Sequence, residues 1–169
     1  MKQQQALYDA PMAFESPSYA EALRRCVANY GGAHSAAVMR APDVFEFYAR
    51  LFAEPDMPEP QRPLINAVLA YFVAPHDVLE EDLGPFGLLD DLFVAAHVYQ
   101  LLRREVPVEL LQRAWLRRGK SPPHSIRGKK KKDDDGDGDL DDVMSLIKSE
   151  SRAAIGKQSK AALKMAGLG

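Results

Sequence analysis

Tyr71-Phe72-Val73-Ala74-Pro75-His76-Asp77-Val78-Leu79-Glu80-Glu81-Asp82-Leu83-Gly84-Pro85-Phe86-Gly87-Leu88-Leu89-Asp90-Asp91 sets the architecture of this chain. An apolar segment, Leu64 to Phe72, enters the stretch, and a second, Leu92 to Leu102, leaves it. Each segment is apolar around most of a helical circumference, which is the pattern of a helix buried in a bundle. Pro75, Gly84, Pro85 and Gly87 punctuate the connection, and Asp77, Glu80, Glu81, Asp82, Asp90 and Asp91 make it acidic. The stretch therefore reads as helix, acidic hinge, helix.

Working outward, Ser18 with Glu21 three residues on matches a capping box, and Tyr19, Leu23, Cys26, Val27 and Tyr30 follow at helical spacing up to Gly31-Gly32. Ala36 to Met39 predict a short helical turn. Pro42 suits the first turn of another helix, with Val44, Phe45, Phe47, Tyr48, Leu51 and Phe52 as its apolar face. Pro55, Pro58, Pro60 and Pro63 force a turn before the hairpin. Beyond it, Pro107 opens a helix whose inner face is Val108, Leu111, Trp115 and Leu116, stopped by Gly119 and Pro122-Pro123. No strand pattern and no repeat is present.

Past Pro123 the chemistry changes. All 12 prolines and all 14 aromatic residues lie before Ser125, and residues 1–128 hold 13 cations against 16 acids, whereas residues 129–169 hold 9 against 8. These shifts divide the chain into an N-terminal arm (1–17), a helical domain (18–118), a charged flexible linker (119–139) and an amphipathic helical tail (140–169). The expected fold is all-α: a small helical bundle around the central hairpin, with the linker and tail appended.

At 169 residues and 46% hydrophobic content the chain accommodates one core. A net charge of −2 gives no global attraction to polyanions. Cys26 is the sole cysteine, and Met1 opens onto Lys2 and glutamines rather than an apolar signal core, which fits a reducing cytoplasm. Neither apolar run reaches the roughly 20 residues that span a bilayer.

Several fragments resemble chemical motifs and fail on their context. Gly119-Lys120-Ser121 lacks both the upstream glycine of a phosphate loop, where Ala114 stands, and a preceding strand. Asp133, Asp135, Asp137, Gly138 and Leu140 fit five positions of a calcium loop, but Met144 occupies the place of its bidentate glutamate. Lys129 to Lys132 has no interleaved aromatic residue and is followed by seven aspartates, which argues against nucleic-acid binding. The four histidines show no metal-ligand spacing. Leu140, Val143, Met144 and Ile147, by contrast, follow the i, i+3, i+4, i+7 rule of an amphipathic helix, preceded by acids and followed by Lys148 and Arg152. Such a segment either docks in a partner's groove or folds back on the body, and docking to a protein partner through residues 140–169 is the preferred expectation.

The hinge acids raise a metal question, since hard cations bind carboxylates; Asp77, Glu81, Asp90 and Asp91 are the candidate ligands. The structural alternative is preferred: Asp77 braces the turn after Pro75, and Asp90-Asp91 occupy the first turn of the next helix, where negative charge is favoured. Pro75-x-Asp77-Val78-Leu79 and Gly87-x-x-Asp90-Asp91, following Tyr71, resemble the YkvA-like family of small bacterial proteins of unknown function over about residues 45–105. Glu80-Glu81 stand where that family has Pro-Asp, and Gly84 where a second proline is common. The resemblance implies a helical hairpin, frequently membrane-associated, with no established reaction. The reading is thus a non-enzymatic bacterial accessory or adaptor protein without a cofactor. Its alternatives are a metal-dependent hydrolase using the acidic hinge and a membrane-peripheral hairpin protein.

Overall fold

A computed structural model describes residues 16–74, 87–116 and 137–169, and those segments are helical with no strand among them. In chain order the α-helices are α1 (Ser16–Val27), α2 (Ser35–Val38), α3 (Ala41–Ala53), α4 (Arg62–Val73), α5 (Leu89–Glu105), α6 (Val108–Leu116), α7 (Asp137–Ile155) and α8 (Ser159–Met165). Short 3-10 turns at Glu59–Gln61 and Gly156–Gln158 lead into α4 and α8. The all-α expectation holds.

The helices start and stop where proline and backbone chemistry direct. Pro42 and Pro63 occupy the first turns of α3 and α4, where a missing N–H costs nothing. The last carbonyls of α3 are served by Arg62, whose guanidinium donates to Phe52 O at 3.2 Å and Glu54 O at 3.1 Å, fixing the corner between α3 and α4. Ser18 does not cap α1: the helix already begins at Ser16, so Ser18 lies within it. Phe52, expected on the inner face of α3, is 44% exposed.

Two helices organise the packing. α3 meets α1, α4, α5 and α6, and α5 meets α2, α3, α4, α7 and α8. An aromatic seam runs from α3 to its neighbours α4 and α6. Phe45 packs edge-on to Phe72 at 5.6 Å, and Phe47 to Trp115 at 5.8 Å. Inside the seam the Tyr48 hydroxyl donates to Ala95 O at 2.6 Å. Burial, and secondarily Tyr99, holds that hydroxyl's pKa well above the ordinary tyrosine value, so it stays a neutral donor. Burial likewise lowers the pKa of the Arg50 guanidinium, which donates to Ala114 O at 3.0 Å and to Glu46 at 3.1 Å.

The C-terminal segment belongs to this core. Among the described residues α7 forms with α5 the most extensive helix pairing, and α2 and α6 flank it. Leu140, Val143, Met144 and Ile147 are all at most 5% exposed. The physical reason is that α5, apolar nearly all round, has a face left over after packing on α3 and α4, and α7 covers it. Among the described residues one hydrophobic cluster runs from Ala20 to Ala162.

Candidate functional site

Two polar constellations sit on α5. At its N-terminal end, Asp90 and Asp91 lie in the first turn, with Gly87 just before it, and both carboxylates are sunk in the packing, 0% and 2% exposed. No side chain caps Leu88, so these acids serve the helix start instead. Asp90 Oδ1 accepts the Asp91 backbone N–H at 3.0 Å, and Asp90 Oδ2 accepts the Tyr71 hydroxyl at 3.1 Å. Tyr71 is itself buried near the end of α4. The contact ties the last turn of α4 to the first turn of α5, so both arms of the hairpin are joined by a buried hydrogen bond.

Of the four hinge residues considered as metal ligands, Asp90 and Asp91 are thus placed; Asp77 and Glu81, like Pro75, lie outside the described residues. Among the described residues no group of three or more histidine, cysteine, aspartate or glutamate side chains is arranged to hold a metal ion. The calcium-like run is overturned at its second half: Asp137 to Met144 is α-helix, so these residues cannot wrap a cation as a loop.

The second constellation is the seam between α5 and α7. Around the buried Leu140, Val143, Met144 and Ile147, polar pairs close the edges. Tyr99 donates to Asp141 at 2.5 Å, Arg103 pairs with the same carboxylate at 2.8 Å, and Lys148 donates to Gln100 Oε1 at 2.6 Å. On the far edge His34, held in a left-handed turn with φ 60°, meets Glu150 through Nδ1. Ser151 is fully buried and folds its hydroxyl back to Ile147 O at 2.5 Å, which lets α7 approach closely at that point. The four side chains expected to face a partner are accordingly engaged within the chain.

The outward face of α7 carries different chemistry. Ser145, Lys148, Ser149, Arg152 and Ala153 line an open depression of about 500 Å³. Leu146 flanks it at 38% exposure, and Met165 on α8 is 52% exposed. The sequence reading placed Lys148 and Arg152 only as helix-end charges. The i, i+3, i+4, i+7 spacing of Ser145, Lys148, Ser149 and Arg152 was a visible signal for a second, polar face on the same helix.

His97 on α5 sits beside this seam. Burial first, and then the Lys148 charge, lower its pKa from the ordinary histidine value.

Comparison with known proteins assigns no activity. A family described as "Protein of unknown function (DUF1232)" matches residues 62–96, which covers α4, the hinge and the first half of α5. An "Uncharacterized protein ORF9" of Methanothermobacter thermautotrophicus is 27% identical over 90 residues, 53% of this chain and 62% of that relative's length. No solved structure gives a significant match. Among the described residues, no helix is long and apolar enough to cross a membrane. The chain is similar, in its central hairpin, to a domain of unknown function.

Proposed function

We propose that this chain is a non-enzymatic accessory protein of the YkvA-like group, a rigid helical platform that presents the outward face of residues 140–169 to a protein partner. The observation that carries the reading is the two-sided character of α7. Its inner face is locked into the core by Leu140, Val143, Met144 and Ile147, which fixes the helix as a rigid element. Its outer face leaves Leu146 in solvent among polar side chains, and Met165 on α8 is exposed as well. A rigid helix that displays apolar anchors within a polar surround has the anatomy of a protein-docking surface.

The buried acids support the platform half of the reading. Asp90 and Asp91 are enclosed by packing, and Asp90 ties α4 to α5 through the Tyr71 hydroxyl, which is a positioning task. The decisive experiment is copurification from the native host with Leu146→Asp and Met165→Asp, both exposed positions whose replacement leaves the core intact. Loss of the copurifying protein with unchanged circular dichroism is expected; undiminished recovery would remove the docking role.

A further inference from the structure

We infer that the depression on the outward face of α7 is a binding site for a phosphate group. It is lined by Ser145, Lys148, Ser149, Arg152 and Ala153 and has a volume of about 500 Å³, room for a phosphate and its substituent. Side chains three and four apart on a helix stand close enough to converge on one group. Here they offer what a phosphate requires: a fork of N–H donors from Arg152, a point charge from Lys148, and two hydroxyl donors from Ser145 and Ser149.

Among the described residues no carboxylate pairs with the charge at this site. Several other arginines hold carboxylates: Arg24 with Glu46 at 2.5 Å, Arg103 with Asp141 at 2.8 Å, Arg113 with Glu54 at 2.8 Å. Arg152 has no carboxylate within ion-pair distance among the described residues, and Glu150, two positions back and so on the other side of the helix, pairs with His34. Lys148 is steadied by the neutral amide oxygen of Gln100, which orients the ammonium without cancelling its charge. Ser151 spends its hydroxyl on the helix backbone, whereas Ser145 and Ser149 bond no other described residue, and their hydroxyls are available to an incoming anion. Asp142, one turn before Ser145, marks the end of the cationic face.

The inference stands apart from the adaptor reading, since it needs no protein partner, and the two can fail separately. The shared chemistry is the phosphate group, and two sources supply it: a soluble phosphate compound or a lipid headgroup. The test is titration of the full-length protein, followed by amide NMR, with inorganic phosphate, with pyrophosphate, and with phosphatidylcholine vesicles with and without a phosphoinositide. Saturable shifts confined to residues 145–153 are expected, weakened about tenfold by Arg152→Gln, the loss of one charge-assisted contact. Arg152 is exposed and outside the core, so that variant keeps the fold. Tighter binding of pyrophosphate identifies a soluble ligand; tighter binding of phosphoinositide vesicles identifies a headgroup. Equal shifts with sodium chloride at matched ionic strength, or Arg152→Gln titrating like the wild type with every probe, overturn the assignment.

Discussion

The two ends of the α5 interface hold their neighbours by opposite means. At the hairpin end, a buried carboxylate and a buried tyrosine join α4 to α5, with Asp90 fully enclosed. Along the α7 seam, apolar side chains fill the middle and the polar pairs stand at the edge, where Arg103 is 47% exposed. A buried charge is costly to desolvate and costly to abandon, so it enforces one geometry. Edge pairs are screened by water and individually weak, so the seam draws its strength from the apolar middle. The hairpin is held by specificity at one point, the clasp by burial spread over four.

The comparison breaks most visibly at the middle of the clasp. Ile147 is 0% exposed, and Ile147→Ala removes three buried carbons, a loss of about 2–5 kcal/mol by analogy with other core truncations. Trp115 on α6 reports the body by fluorescence, while far-ultraviolet circular dichroism reports all helices, α7 included. Because α7 shares the core, both probes are expected to shift to lower urea together. A split, with dichroism falling early and Trp115 unmoved, would show that the C-terminal segment folds as a separate unit.

At the hairpin end, Asp90→Ala removes the acceptor of the Tyr71 hydroxyl and of the Asp91 N–H, with an expected cost of about 1–3 kcal/mol. Asp90→Asn retains an acceptor and is expected to lose less. Tyr71→Phe combined with Asp90→Ala completes a double-mutant cycle. Additive losses would mean that the two side chains do not act as one link. Edge contacts are cheaper. Asp141→Ala gives up both the Tyr99 hydroxyl and Arg103 at the solvent edge, for an expected loss of about 0.5–1.5 kcal/mol in urea titration. A loss as large as that of Ile147→Ala would reverse the assignment of strength to the apolar middle.

The hairpin was legible because its signal is local: apolar runs on both sides of a turn-rich acidic stretch dictate two buried helices and their order. α7 was legible as an amphipathic helix for the same reason. What covers its apolar face was not, because Leu140, Val143, Met144 and Ile147 read identically whether the opposing surface is a partner or α5. The complement that decides it, Tyr99, Gln100 and Arg103 on α5, lies about 40 residues upstream. Ser18 misled for a different reason, since Ser16, a second hydroxyl residue, stands at the first position of the helix. The depression on α7 was hidden because each of its side chains is ordinary alone, and which of them stand without a carboxylate depends on contacts distant in sequence, such as Glu150 with His34 and Asp141 with Arg103.

The smallest effect separates the seam from the hairpin by pH. His97 titrates at the seam, and burial followed by Lys148 lowers its pKa. The folded protein therefore binds this proton less readily than the unfolded chain, whose histidine titrates near about 6.5. Its contribution to stability is complete above that value and is lost as pH falls through the lowered folded value. Urea unfolding of wild type and His97→Gln across mildly acidic to neutral pH is expected to diverge in this window, with the wild type falling more steeply toward acid. Lys148→Gln removes the secondary cause, so the His97 pKa, followed by NMR, rises toward the ordinary value but does not reach it, because burial remains. Parallel stability curves for wild type and His97→Gln, or a His97 titration indifferent to Lys148, would detach the histidine from the seam.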